Sequence, residues 1–361
     1  MSKVLMSGND AVVEGAIRAD VDCYFGYPIT PQNEIIGGMA ARLPPLGKVF
    51  LQSESELAAI SMVHGAAAAG KRTMTTSSSP GVSLMQEGIS YLAGTQLPAV
   101  IVNVQRGGPG LGNISPSQGD YFQSTRGGGH GDYYTITLAP DSVQEMLDFT
   151  VRAFDLADRY RTPVVVLADG RLGQMMEPVE LGDPAPVRRI EKPWALTGAK
   201  DRPPHFLCSM RLPPGDLAEH NRELQKVYRE IERREPDGES YQTADAKIVF
   251  VAYGTCARLC REAIDTLRDE GLRAGLFRPI TLWPFPRKKL QASLKKAKRI
   301  VVVELSAGQL IEDVQLSSAD RLPIEFVGRM GGESPSVKEL VALGRKLLQK
   351  KRKSAAKGKH R

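Results

Sequence analysis

The chain has 361 residues, 42% of them apolar and 25% charged, which exceeds one ordinary core and sets an expectation of about two to three soluble α/β-sized units. Met1-Ser2-Lys3 leads into the short apolar run Val4-Leu5-Met6, too brief for a secretory leader or a membrane span, so the expected setting is the cytoplasm with no membrane association. The net charge of +7 owes much to the ending Lys350 to Arg361, read as a disordered solvated tail over 349–361 rather than a nucleic-acid arm, and the scattered Cys23, Cys208, Cys256 and Cys260 offer neither a disulfide framework nor a Cys-x-x-Cys metal motif.

In chain order, Asn9 or Asp10 is expected to cap a first helix over Ala11 to Ile17. A short strand, Asp22 to Phe25, then opens onto Phe25-Gly26-Tyr27-Pro28-Ile29-Thr30-Pro31-Gln32-Asn33-Glu34. Gly26 permits a sharp turn, and Pro28 and Pro31 fix the backbone on either side of Thr30. A hydroxyl held that way suits ligand contact; equally, Thr30 or Asn33 can serve as the cap of the next helix, Gln32 to Leu43, which stops at Pro44-Pro45. Val49 to Gln52 reads as a strand delivering Ser53-Glu54-Ser55-Glu56 at its carboxyl end, followed by a helix of small residues from Leu57 to Gly70 that permits close backbone approach. Arg72 to Thr76 is a third strand, Ser77 to Gly81 a polar turn, Val82 to Leu92 a helix, and Pro98 to Gln105 a buried fourth strand.

Arg106-Gly107-Gly108-Pro109 begins a long loop through Gly131, of a length that usually carries function. Ser142 to Tyr160 is an amphipathic helix and Pro163 to Asp169 a fifth buried strand. This alternation predicts a doubly wound domain over 1–180, followed by a linker over 181–246 with one charged helix, Asp216 to Arg234. A smaller α/β domain follows over 247–348, with strands Lys247 to Gly254, Arg273 to Arg278 and Arg299 to Glu304, a helix from Cys256 to Glu270, and the phrase Pro279 to Pro286.

Ligands of open α/β sheets sit beyond the carboxyl ends of the strands, so Thr30, Glu56, Ser77 to Ser79 and Arg106 belong to one rim. Glu56 is either an acid/base group or a helix-start carboxylate, and Arg106 either a carboxylate clamp or an interface ion pair. His64 reads as packing and His130, in Gly127-Gly128-Gly129-His130-Gly131, as the better functional histidine. There is no Gly-x-Gly-x-x-Gly after the first strand, no Walker sequence, no Gly-x-Ser-x-Gly elbow and no zinc pattern.

Four motifs in order, Phe25 to Pro31, Gln52 to Glu56, Ser78 to Gly88 and Val104 to Pro109, closely resemble the alpha-type subunit of 2-oxoacid:ferredoxin oxidoreductases, over about residues 4–345. Within that family Tyr27 to Glu34, Pro109 to Ile114, Gln118, Asp120 to Gln123 and Gly127 to Asp132 look most like the branched-chain enzyme, which acts on 3-methyl-2-oxobutanoate. The resemblance implies a thiamine-diphosphate-binding-type doubly wound domain plus a transketolase C-terminal-like domain, with the cofactor shared between two chains. This chain would supply the pyrimidine side through Glu56, Tyr27, Pro28 and Ile29, with Glu54 as the competing partner for the aminopyrimidine nitrogen. Thr30, Arg106, Gln118 and Arg126 would contact the 2-oxoacid. A beta-type partner would hold the diphosphate, Mg2+ and a [4Fe-4S] cluster, none of them bound by this chain alone, and gamma and ferredoxin-like delta subunits, ferredoxin and coenzyme A complete the implied partners.

The loop from Gly107 to Asp120 has no Lys or Arg to pair the distal carboxylate of 2-oxoglutarate, which favours an apolar substrate; Arg126, farther along, is the one residue that weakens this. The rival readings are a 2-oxoglutarate enzyme, a non-catalytic assembly subunit, and a transketolase-like enzyme without electron transfer.

Overall fold

The computed structural model describes residues 3–182, 187, 189–318 and 322–357. The chain opens on β1 (Lys3–Ser7) and α1 (Gly8–Arg18), then runs through β2 (Cys23–Gly26), α2 (Asn33–Arg42), β3 (Val49–Gln52), α3 (Glu56–Ala68), β4 (Thr73–Ser77), α4 (Ser79–Gly94) and β5 (Ala99–Gln105). A long loop carrying α5 (Tyr121–Thr125) leads to β6 (Ile136–Leu138), α6 (Val143–Tyr160), β7 (Pro163–Asp169), α7 (Gly170–Gln174) and β8 (Met176–Glu180). There follow α8 (Asp216–Arg234), β9 (Gly238–Tyr241), β10 (Ile248–Val251), α9 (Gly254–Asp269), β11 (Ala274–Pro279), β12 (Thr281–Trp283), α10 (Arg287–Ser293), β13 (Arg299–Glu304), α11 (Leu310–Ser318), β14 (Ile324–Gly328) and α12 (Val337–Lys357). Of the basic end, 349–361, the backbone is helical to Lys357 and residues 358–361 lie outside those described.

The larger sheet has the order β12-β6-β7-β5-β4-β2-β3, all parallel except the antiparallel edge β12. Its middle strands β5 and β7 are buried along their whole length, which is why they read as near-continuous apolar runs. The smaller sheet, β14-β13-β10-β11-β9, is parallel but for β9. The architecture is the expected α/β one with a doubly wound parallel sheet. A separate antiparallel pair, β1 with β8, ties the start of the chain to the end of the first sheet's last connection.

Two local expectations give way to tertiary context. Ser7, not Asn9 or Asp10, caps α1: its hydroxyl accepts from the Asp10 amide at 3.1 Å, and Asp10 returns the bond, forming a capping box. Asn9 is turned inward instead and donates to the Pro31 carbonyl and to Glu34 Oε2, each at 2.8 Å. The Pro279 to Pro286 phrase sends Thr281–Trp283 back to the larger sheet as its edge, where Trp283 stacks on Tyr134 with ring centroids 4.7 Å apart.

The small residues of α3 and α4 do allow close approach. A Cβ on Gly88 of α4 would come within 2.5 Å of Ile60 of α3. The two sheets are joined by buried polar contacts: Asp169 at the end of β7 accepts from Thr255 Oγ1 at 2.7 Å, and Arg278 of β11 donates to both carboxylate oxygens of Glu145, at 2.6 and 2.7 Å.

Candidate active site

The chain leaves β2 for β3 on one side and returns to β4 on the other, so the connections diverge between β2 and β4, where open α/β sheets present ligands. The carboxyl ends of β2, β3, β4 and β5 deliver Tyr27, Glu56, Ser77 to Ser79 and Arg106 to this rim. A buried relay fixes its floor: Tyr24 hydrogen-bonds Thr76 Oγ1 at 2.6 Å, Thr76 donates to Gln32 Oε1 at 2.5 Å, and Gln32 Nε2 donates to the Tyr27 carbonyl at 3.3 Å. Burial keeps the Tyr24 phenol protonated far above its ordinary range. The relay holds the backbone of Tyr27, whose side chain remains exposed with Pro28 and Thr30, while Ile29 is half-buried.

Glu56 is the first residue of α3, which Ser55 caps by accepting from the Ala58 amide at 3.2 Å. Its carboxylate is 6% exposed, whereas Glu54 stands in solvent. Gly81 in the first turn of α4 faces it so closely that a Cβ there would lie 2.5 Å from Glu56 Oε1 and 2.1 Å from Ser77 Oγ. The hydroxyls of Ser77 and Ser78, both fully buried, have no protein partner. Buried hydroxyls without partners are costly, and here they line the space beside a carboxylate. This cradle, with an acceptor, two free hydroxyls and a glycine wall, fits a flat heterocycle presenting a ring nitrogen and an amino group.

Arg106 is 8% exposed and held by main chain: Nη1 donates to the Thr30 carbonyl at 3.0 Å and Nη2 to the Leu111 carbonyl at 3.1 Å, while Nε has no partner. Among the described residues it meets no carboxylate, and the guanidinium ties the Tyr27–Pro31 stretch to the glycine loop. Beside it a network that the sequence reading did not find is centred on Asp120. Its Oδ2 accepts from Ser79 Oγ at 2.5 Å and Asn103 Nδ2 at 2.9 Å, its amide donates to Gln105 Oε1 at 3.1 Å, and Ser79 Oγ accepts from the Arg106 amide at 3.0 Å. Burial pushes the Asp120 carboxyl up, against the bonds from Ser79 and Asn103. The available signal was Asn103 and Gln105, two polar residues in a strand buried on both faces, which must have partners.

Gln118 is fully buried, and its amide is engaged at both ends: Nε2 donates to the Tyr253 carbonyl at 2.9 Å and Oε1 accepts from the Leu305 amide at 3.0 Å. It joins the loop to the smaller sheet. Arg126 turns to α11, where it lies 3.5 Å from Asp313 and 3.7 Å from Glu312, with its guanidinium over the Phe122 ring. His130 is exposed; His64 is half-buried with Nε2 3.2 Å from Thr95 Oγ1, and burial lowers its pKa. Among the described residues no group of three or more His, Cys, Asp or Glu side chains is placed to hold a metal ion, and no helix is long and apolar enough to cross a membrane.

Fold and rim together define a thiamine-diphosphate-binding α/β protein. Residues 14–239 match the family model for the pyruvate flavodoxin/ferredoxin oxidoreductase thiamine diphosphate-binding domain, and residues 246–340 match that for pyruvate:ferredoxin oxidoreductase core domain II; the chain belongs to this oxidoreductase family. It is 50% identical over 341 residues to a ketoisovalerate oxidoreductase subunit VorB of Methanothermobacter thermautotrophicus, covering 94% of this chain and 97% of that one. A 2-oxoglutarate synthase subunit KorA of Archaeoglobus fulgidus is 42% identical, covering 87% and 91%. Among solved structures, the 2-oxoglutarate:ferredoxin oxidoreductase from Magnetococcus marinus, with 2-oxoglutarate, coenzyme A and succinyl-CoA bound, superposes with a TM-score of 0.87 at 28% identity, over 96% of this chain and 66% of that one. A split gene transketolase, 15% identical with a TM-score of 0.58 over 95% and 96%, shares the fold.

Proposed function

We propose that the chain is the pyrimidine-side subunit of a multisubunit 2-oxoacid:ferredoxin oxidoreductase that converts 3-methyl-2-oxobutanoate to its acyl-CoA and carbon dioxide, passing electrons to ferredoxin in the cytoplasm. The observation that carries the catalytic part is the buried Glu56 carboxylate set against Gly81 and the unpartnered Ser77 and Ser78 hydroxyls. When bound, thiamine diphosphate supplies the electron-accepting ring that lets a 2-oxoacid lose carbon dioxide. Glu56 would hold a proton at the pyrimidine ring nitrogen, in a pocket dry enough to strengthen that bond. Tyr27, Pro28 and Ile29 would wall the ring, and a beta-type subunit would bring the diphosphate, Mg2+ and a [4Fe-4S] cluster, with gamma and delta subunits completing the assembly.

Arg106 would take the carboxylate of the oxoacid and Thr30 would donate to its oxygens. Gln118 acts on substrate only through the loop it anchors. The choice of a branched apolar acid over 2-oxoglutarate is supported by Arg126, which faces Asp313 and Glu312 instead of the rim, and by the absence of any Lys or Arg from Gly107 to Asp120. The higher identity to the ketoisovalerate relatives points the same way.

The test is viologen-dye reduction by the chain co-expressed with its partner subunits, given coenzyme A, thiamine diphosphate and either oxoacid. Faster turnover of 3-methyl-2-oxobutanoate is expected. Preference for 2-oxoglutarate overturns the substrate assignment, and no reduction with any oxoacid overturns the reaction.

A further inference from the structure

Along the β12 edge of the larger sheet lie two clefts, of about 570 and 560 Å³, whose linings share Arg126 and Tyr134 and therefore form one trench. Each part has the volume of a small-molecule site. The trench takes no residue from the Glu56–Arg106 rim.

Its charge is not what α8 as a whole predicts. That helix carries five acidic and five basic side chains, yet Arg222, Lys226, Arg229 and Arg233, spaced 4, 3 and 4 residues apart, share one face and line the trench. Arg287, Lys288 and Lys289 approach from the first turn of α10, where the helix dipole disfavours cations and no acidic residue compensates. Some of these charges are already paired: Lys226 lies 2.6 Å from Glu223, Lys289 2.7 Å from Asp237, and Arg126 near Asp313 and Glu312. Among the described residues Arg222, Arg229, Arg233, Arg287 and Lys288 form no ion pair. The acidic side chains of the lining are Glu232, Asp313 and Asp132; Asp313 is itself engaged by the Tyr121 hydroxyl at 2.6 Å.

Unpaired cations gathered around a concavity raise its potential and draw in anions, and on both helices these side chains are exposed rather than packed. The lining also holds an apolar, ring-bearing stretch, Trp283-Pro284-Phe285-Pro286, backed by the parallel Trp283–Tyr134 stack with Tyr228 set edge-on to both rings. Cations beside a ring-bearing stretch suit a ligand that is itself half phosphate and half heterocycle. A concavity of this volume suits a small molecule better than the flat face of an acidic protein.

We propose that this trench binds a multiply phosphorylated nucleotide, its phosphates on Arg233, Arg287 and Lys288 and its base against the Trp283–Pro286 wall. For a free nucleotide the inference goes beyond the oxoacid reaction and does not depend on it; for coenzyme A it rests on that reading. Two sources supply this chemistry, a free nucleoside triphosphate and the nucleotide end of coenzyme A.

The experiment is calorimetric titration of the full-length chain with ATP, coenzyme A and inorganic tripolyphosphate, with the Trp283 fluorescence change as a second readout. It is repeated on Arg233→Ala/Arg287→Ala/Lys288→Ala and on the charge-matched control Lys295→Ala/Lys296→Ala/Lys298→Ala, whose exposed lysines do not line the trench, each variant being checked for native circular dichroism. Saturable binding of ATP or coenzyme A is expected, with tripolyphosphate weaker. The trench variant should lose about tenfold or more, the effect of removing charge-assisted bonds, while the control stays within about twofold. Tighter ATP assigns the free nucleotide and tighter coenzyme A the acyl carrier, either of which supports the site. Equal loss in both variants, no saturable binding at millimolar ligand, or equal binding of polyglutamate overturns it. Since no turnover is measured, failure here leaves the oxoacid reading untouched.

Discussion

Gly81→Ala separates the cost of a methyl group to the fold from its cost to the chemistry. The added Cβ would sit 2.5 Å from Glu56 Oε1, and restoring ordinary contact at 3.4 Å displaces that oxygen by about 0.9 Å. Ser77 Oγ, at 2.1 Å, must also rotate away. Both obstacles are side-chain ends and not backbone, so overpacking costs about 1–3 kcal/mol, partly offset by the better helix propensity of Ala, and the chain still folds. A misplacement of about 1 Å at a catalytic group is worth about 10²-fold in rate. The expected result is therefore native assembly, a modest loss in urea unfolding free energy and a turnover about 10²-fold below wild type in the dye assay. Gly37→Ala is the control: this exposed position in α2 has nothing within 4 Å of the new Cβ, and the substitution should stabilise by about 0.5–1 kcal/mol without touching turnover. Turnover of Gly81→Ala within about threefold of wild type would refute the placement of Glu56 as the working carboxylate.

Glu56→Gln should remove turnover and leave assembly intact, while Glu54→Gln, in solvent, should behave as wild type; size-exclusion chromatography with the dye assay checks both, and the reverse ranking sinks the assignment. Arg106→Ala should raise KM for the oxoacid about tenfold or more and leave that for coenzyme A near its original value, since it removes a charged donor from one substrate only; parallel changes would count against carboxylate binding. The Asp141 carboxyl is pushed up to about 6 from 3.8, mainly by burial and against the pull of Arg278, which lies 3.2 Å away. A folded-state pKa above the unfolded one means that the stabilising contribution is present below the unfolded value and lost as pH rises through about 6. Urea unfolding of Asp141→Asn across that window should show a flatter pH dependence than wild type, and an unchanged slope would assign the dependence elsewhere.

Much of the scaffold is legible in one dimension. The strands Val49–Gln52, Pro163–Asp169 and Arg299–Glu304 and the helix Asp216–Arg234 have the ends that composition and punctuation predict. Parallel strands covered on both faces must be apolar throughout, and an exposed charged helix must show its period, so the local sequence carries the information. The family resemblance is likewise carried by short motifs at the strand ends, Tyr27 to Glu34 and Ser53 to Glu56 among them. Because successive parallel strands end on the same edge, naming the strands already gathers Thr30, Glu56, Ser77 and Arg106 on one rim.

What only the tertiary structure decided is who faces whom across long sequence separations. Nothing near Gly81 in the chain says that Glu56, on another helix, fills the space a side chain would need; that follows from how closely α3 and α4 pack. Gln118 looked like a substrate ligand until the smaller sheet supplied the backbone of Tyr253 and Leu305 for both ends of its amide. Arg126 lay in the right loop to reach the rim, but α11 offers it two carboxylates. β12 belongs by sequence to the second sheet's neighbourhood and by hydrogen bonding to the first sheet's edge, which also creates the trench beside it. Periodicity and turn chemistry are properties of neighbouring residues and fix elements; polar satisfaction and charge pairing are settled between elements, and only packing brings those partners together.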